Sequence, residues 1–161
     1  MLITFLRHAT AEDRRLTIPD AERALTEKGE KQVKRVAAFC EANQLLPGGL
    51  FCSSLLRAQQ TARLLQSRLP DCPPPQTVNW LNIDSSPQAI IAELGHLNDQ
   101  GLDDVWLVGH EPDFSGVIGL LLDMESDNLL IKKASLTRID AEFFVQPEAT
   151  LLWSIPCNLM P

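Results

Sequence analysis

The sequence predicts an α/β protein: a three-layer sandwich with a mostly parallel sheet, helices on both faces and an antiparallel C-terminal edge. Two observations lead to this class. Short apolar runs alternate repeatedly with helix-period apolar faces up to Leu121, the pattern of strands joined by crossover helices. The last third changes character and reads as strands joined by tight turns. No repeat, low-complexity stretch or linker interrupts the chain, so one domain over residues 1–161 is expected.

Leu2, Ile3, Phe5 and Leu6, with β-branched Thr4 among them, predict a buried first strand. Thr26 predicts a helix N-cap, Glu27 and Glu30 suit the positive end of the dipole, and Val33, Val36, Ala37 and Cys40 form one apolar face. Pro47-Gly48-Gly49 breaks the chain before a second strand at Leu50-Phe51-Cys52. Ser54 is then expected to cap a helix with the core face Ala58, Thr61, Ala62, Leu65 and Leu69. A rigid loop from Pro70 to Pro75 leads to a third strand expected over Val78 to Leu81. Ser86-Pro87 starts a helix with the face Ile90, Ile91, Leu94 and Leu97. Val105 to Val108 is a buried strand, and Phe114, Val117, Ile118 and Leu121 mark the next helix. Ser135 to Ile139, Glu142 to Val145 and Thr150 to Ile155 read as three antiparallel strands, with one turn around Gln146-Pro147-Glu148.

Composition narrows the function. The net charge of −7 argues against a nucleic-acid-binding domain, which carries a basic face. A phosphorylated ligand would have to be drawn by a local cluster of cations instead. Cys40, Cys52, Cys72 and Cys157 show no C-x-x-C and no zinc-ligand spacing, which fits a reduced, cytoplasmic setting. No leader and no membrane-spanning run is recognisable, so neither a membrane nor a nucleic acid is expected as partner.

Three strand ends carry the residues with chemistry: Arg7-His8, Ser53 to Arg57, and Gly109-His110. Open α/β sheets bind ligands just past the carboxyl ends of their strands. Arginine offers a planar fork of donors matched to phosphate, and neutral imidazole is a nucleophile at neutral pH. Arg57 falls in the first turn of its helix, where the dipole disfavours a cation by up to about 1 kcal/mol. Either a carboxylate partner or a bound anion would offset that cost. His110 reads as a hydrogen-bonded strand-end histidine or as a further donor to the same anion. His96 lies mid-helix between Leu94 and Leu97, with no strand end or arginine beside it, and reads as structural.

These residues fall into blocks that resemble the histidine phosphatase superfamily, the phosphoglycerate-mutase-like proteins. Leu6-Arg7-His8-Ala9 is similar to the family's Arg-His-Gly opening, and Arg23-Ala24-Leu25-Thr26-Glu27-Lys28-Gly29 to its Arg-x-Leu-Thr-x-x-Gly block. Ser53 through Arg57-Ala58-Gln59-Gln60-Thr61-Ala62 is similar to Ser-x-x-x-Arg-Ala-x-Gln-Thr-Ala, and Leu107-Val108-Gly109-His110-Glu111-Pro112 to the fourth block. The four stand in the family's order between residues 6 and 112. The short length and the tail Ile155-Pro156-Cys157-Asn158-Leu159 resemble the small phosphohistidine phosphatase branch, SixA.

The resemblance implies His8 as nucleophile, carrying the phosphoryl group as a covalent phosphohistidine. It implies Arg7 and Arg57 as clamps on the non-bridging oxygens, His110 as a further donor and Arg23 at the pocket mouth. It implies no metal and no cofactor, because positive and donor groups neutralise the charge instead. Ala9 departs from the usual glycine and requires an ordinary backbone conformation there. The general acid departs more. Larger members carry a glutamate just after the third strand, where this chain reads Trp80-Leu81-Asn82-Ile83; Asp84, Glu111 and Asp13 are the candidate proton donors. A missing acid handicaps ester hydrolysis, whose alkoxide needs a proton. It matters less for phosphohistidine, whose P–N bond is labile and whose leaving imidazole, titrating near pH ~6.5 in its free form, can be protonated beforehand.

The stretch between Arg15 and Arg23 is short, and no large insertion roofs the pocket, so a shallow groove open to a protein surface is expected. The reading that results is a metal-independent phosphatase acting on a phosphohistidine-bearing protein of the phosphorelay type. A small-molecule phosphomonoesterase and a non-catalytic phosphate-binding module are the alternatives.

Overall fold

The computed structural model describes residues 1–161 and contains a single six-stranded sheet. In chain order the elements are β1 (Leu2–Arg7), α1 (Glu27–Ala42), β2 (Gly49–Ser53), α2 (Leu56–Gln66) and β3 (Gln76–Val78). Then come α3 (Pro87–Asp99), β4 (Asp104–Gly109), α4 (Asp113–Leu121), β5 (Leu136–Glu142) and β6 (Glu148–Ile155). The strand order is β3-β2-β4-β1-β5-β6. β1 to β4 are mutually parallel, β5 runs antiparallel to β1, and β6 antiparallel to β5. The expected α/β sandwich with an antiparallel edge is the fold observed.

Strand alternation divides the core in two. Leu6, Leu50, Trp106 and Val108 face α1 and α2, whereas Ile3, Phe5, Val105 and Leu107 face α3 and α4. A central strand buried on both faces therefore reads as a continuous apolar run, as β1 and β4 do. After β1 the chain leaves to α1 on one face; after β4 it leaves to α4 on the other. The crevice between these two strand ends is the topological switch point of the sheet.

Three expectations at element level are corrected. The third strand is Gln76–Val78, and Asn79–Leu81 is a 3-10 turn. β3 pairs with Phe51 to Ser53, so past Val78 it has no β2 left to pair with, and the turn buries Leu81 instead. Ser54 does not cap α2. Leu55 takes the N-cap position, and the Ser54 hydroxyl bonds Asn82. Glu142 to Val145 is not a separate strand: β5 ends at Glu142, and Phe144 and Val145 lie exposed at the hairpin tip. Leu69 is buried as expected but lies beyond the end of α2.

The start of α1 is locked to the connection after β1. The Thr26 hydroxyl accepts from Gly29 N as an N-cap and donates to Thr10 O, to which Thr26 N also donates. A Cβ at Gly29 would clash with the Thr10 carbonyl, main chain that has no rotamer to yield. Gly29→Ala is expected to lower stability by about 1–3 kcal/mol, the usual range for overpacking, read as a shift in the urea midpoint. An unchanged midpoint would mean that the connection gives way without cost.

Candidate active site

Sheet register sets the site. Arg7 pairs with Gly109, and His8 N donates to Gly109 O at 3.0 Å, so His8 and His110 leave adjacent parallel strands at the same height. Strands lie about 4.8 Å apart, and the two imidazole centroids are 5.2 Å apart. Gly109 is required there because a Cβ would meet the Phe114 ring at 2.7 Å. Arg57 enters from the first turn of α2, at 1% exposure, and Arg7 from the last residue of β1.

The hydrogen bonds of His8 define its tautomer. Nδ1 lies 2.8 Å from Ala9 O, which can only accept, so Nδ1 carries the proton. Nε2 is left with its lone pair, and Arg57 Nε donates to it at 3.3 Å. Burial, and then the charges of Arg57, Arg7 and Lys133, push the imidazole down to about 4 against a lesser upward pull from Ala9 O. His8 is therefore a neutral imidazole at physiological pH, with its nucleophilic nitrogen turned into the site.

His110 is fixed from behind. Asn82 Oδ1 accepts from Ser53 Oγ, Ser54 N and Ser54 Oγ at 2.9–3.0 Å. The Ser53 proton is thereby committed to Asn82, so at the 2.8 Å contact His110 Nε2–H donates to Ser53 Oγ. His110 Nδ1 and Arg7 Nε are both buried without a hydrogen-bond partner, while Arg7 Nη1 is held by Ile131 O at 2.7 Å. Burial, followed by His8 and Arg57, pushes His110 down to about 3.

Asp20 is the hub of the arginines. Arg57 Nη2 donates to its Oδ2 at 3.0 Å and Arg57 Nη1 to its carbonyl at 2.7 Å. Arg23 Nε and Arg14 Nε donate to its Oδ1 at 2.9 and 3.1 Å. Burial works against ionisation, yet Arg57 and Arg23 hold the carboxyl below its ordinary range. The dipole cost at Arg57 is thus offset by a carboxylate of the chain itself, the first of the two possibilities the sequence left open. It is met at a buried arginine, however, rather than a surface one.

The structure brings Arg7, His8, Arg57 and His110 together. Arg23 joins them through Asp20 and donates to Glu12 O at 2.6 Å. The candidate proton donors are not brought onto the histidines by any hydrogen bond. Glu111 accepts from Ser115 N inside the first turn of α4. Asp84, in the left-handed region at φ 68°, lies beside Asp113, and Asp13 lies by Lys133. His96 is exposed on α3, 3.7 Å from Glu93 and away from the site. Sequence reasoning missed Ser53 and Asn82 as supports of His110, Asp20 as counter-ion, and Asp113. Asp113 is buried with Oδ2 unpartnered, and burial, then Asp84 and Glu111, push it up to about 6. Ser53 was visible as the first residue of its block; Asp20, three residues before Arg23, had no periodic signal around it.

These shifts carry a stability signature. Both histidines are pushed below the ordinary 6.5, so on acidification the unfolded chain takes up protons first and stability falls from about pH 6.5 through about 4 for His8 and about 3 for His110. Asp113, raised, has the opposite sign and loses stabilisation as pH rises through about 6. His8→Gln removes one of the two histidine contributions. The stability of wild type relative to this variant is therefore expected to decline from pH 7 to pH 4 in urea titrations. A pH-independent difference would contradict the buried neutral state of His8.

The family model of the histidine phosphatase superfamily (branch 1) matches residues 3–84, and the chain belongs to that superfamily. An uncharacterized protein of Picosynechococcus sp. (strain ATCC 27264 / PCC 7002 / PR-6) is 32% identical over 149 residues, 88% of this chain and 90% of its own. In fold, the chain is similar to the protein histidine phosphatase SixA complexed with tungstate, with TM-score 0.86 and 21% identity over 99% of each chain. It is also similar to a mycobacterial glucosyl-3-phosphoglycerate phosphatase in complex with inorganic phosphate. There the TM-score is 0.74 and the identity 18%, covering 98% of this chain and 99% of that one.

Proposed function

We propose that the protein is a phosphatase that removes the phosphoryl group from phosphohistidine in a partner protein, through a phosphoryl intermediate on His8. The observation that carries this reading is the Nε2 lone pair of a buried, neutral His8, flanked by Arg57, by the unpartnered Nε–H of Arg7 and by the unpartnered Nδ1 of His110. In the first step His8 Nε2 forms a bond to phosphorus as the bond from phosphorus to the departing imidazole breaks. Arg7 Nε and Arg57 bind the equatorial oxygens, with phosphoryl oxygens taking the place of Asp20 on part of the Arg57 fork. The negative charge raises His110, whose Nδ1 then binds a proton and donates it as a hydrogen bond. In the second step water attacks the phosphoryl-His8, releasing inorganic phosphate and restoring the imidazole.

The leaving group is argued from Asn82. It lies in Trp80-Leu81-Asn82-Ile83, the segment where the resemblance implies a glutamate in larger relatives, and its carboxamide oxygen is fully engaged by Ser53 and Ser54. A leaving imidazole that arrives protonated needs no acid at that place. A second reading, hydrolysis of small phosphate esters, is favoured by Asp113, a buried carboxyl that stays protonated up to about pH 6 near the strand end that bears His110. Turnover of a phosphohistidine protein and of p-nitrophenyl phosphate decides between them. A kcat/KM at least about a hundredfold higher on the phosphohistidine protein is expected, about 3 kcal/mol of differential transition-state stabilisation. The reverse order would establish the ester reading.

A further inference from the structure

The charge of this molecule is divided along the chain. From Leu69 to Ile131 there are eleven carboxylates and no lysine or arginine. All fourteen cations, with ten carboxylates, lie outside that segment, so a chain of net charge −7 has a basic part. Four of its five lysines line adjoining grooves over the start of α1. The first, about 330 Å³, opens at Arg7 and is lined by Lys28, Lys132 and Lys133, with Thr10 and Gln32. The second, about 500 Å³, shares Lys28, Gln32, Cys157 and Asn158 with it and continues to Lys31 and Arg35. Together they form one basic channel leading away from the site.

Its cations are available. Lys28, Arg35, Lys132 and Lys133 form no ion pair, and Lys31 has Glu27 as its single partner. Glu27 is also the sole carboxylate on the walls of either groove. The Lys132-Lys133 loop is pinned to the site: Ile131 O accepts from Arg7 Nη1, and Ala134 N donates to Arg7 O at 3.0 Å. Ala134 adopts a left-handed φ of 55°, a conformation that alanine takes at a cost. Partial burial, then Arg7, Arg23 and Lys28, lower Lys133 below its ordinary range against a lesser upward pull from Asp13, as expected where cations outnumber their counter-ions. A surface of this kind is costly in self-repulsion and is stabilised by an anionic partner.

We propose that this channel docks an acidic surface of the phosphoprotein substrate next to its phosphohistidine, so that Lys28, Lys31 and Arg35 select the partner while the strand-end residues perform the chemistry. This rests on the phosphohistidine reading given above. The acidic half on the α3 and α4 side would repel such a partner, so it approaches from the α1 side, and association is fast and salt-sensitive.

Two phosphohistidine peptides of equal length test the proposal, one with four glutamates flanking the phosphohistidine and one with four glutamines. Wild type is expected to prefer the glutamate peptide by about tenfold in kcat/KM at low salt, through KM, and to lose the preference at high salt. The double variant Lys31→Glu/Arg35→Glu, distant from His8, should lose the preference while hydrolysing phosphoramidate at the wild-type rate, which also confirms its folding. No preference in wild type, or an undiminished one in the variant, would overturn the channel. If wild type cleaves neither peptide yet cleaves phosphate esters, the phosphohistidine reading has failed, and fluorescence anisotropy with the unphosphorylated glutamate peptide then judges the channel. Binding to wild type that the variant loses supports a site for acidic partners; absence of binding rejects it.

Discussion

Replacing His8 by alanine is expected to reduce turnover by at least about four orders of magnitude, since a variant without the proposed nucleophile retains what binding and electrostatics alone supply. The argument rests on one nitrogen. Nε2 is unprotonated because Nδ1 spends its proton on Ala9 O, and it is kept neutral because the ring is buried among Arg57, Arg7 and Lys133. His110 turns its protonated Nε2 to Ser53, so its lone pair sits on Nδ1, the nitrogen that would take up a proton when the phosphoryl group binds, and the arginines are donors. With labelled substrate quenched in alkali, wild type should show a phosphoryl-enzyme that is stable to base and lost in acid, and the variant none. A His8→Ala enzyme that keeps its rate or its label would place the nucleophile elsewhere.

Arg57→Ala is expected to lower kcat/KM by about a thousandfold, with most of the loss in kcat. Removing a single preorganised donor at a developing oxyanion costs about 10²–10³ in rate. Arg57 does more than one donor's work, because Nε touches His8 Nε2 while both terminal nitrogens engage Asp20. Arg57→Lys keeps the charge and loses the fork, so it should recover less than a tenth of the missing activity. A rise in KM with kcat unchanged would mean that the guanidinium binds ground state and transition state equally. Because Arg57 is buried, urea midpoints of both variants separate a catalytic loss from partial unfolding.

The parts of the molecule legible in the sequence are those where one physical signal dominates. β1, β2 and β4 are buried on both faces and read as apolar runs; α1 to α4 each bury one stripe and show it at helical spacing. Arg7, His8, Arg57 and His110 were legible because each breaks the local pattern of its strand end or helix start. The failures have a common cause. Val78 to Leu81 and Glu142 to Val145 are apolar enough for strands, but pairing needs a neighbour, and apolar character does not say where the neighbouring strand stops. Asp20 and Asn82 act through contacts 37 and 28–29 residues away in the chain, within segments that have no periodicity to read.

The parallel pairing of β1 with β4 makes the sheet a ruler for the two histidines. The separation of their main chains is that of neighbouring strands, fixed by backbone hydrogen bonds, while Ser53 and Asn82 set the orientation of the His110 ring. Loops on either face can lengthen, shorten or change their charge without altering that spacing. A protein engineer can therefore place a reacting pair at positions 8 and 110 and know in advance how far apart their main chains will stand, and can rebuild the lysine-lined groove separately.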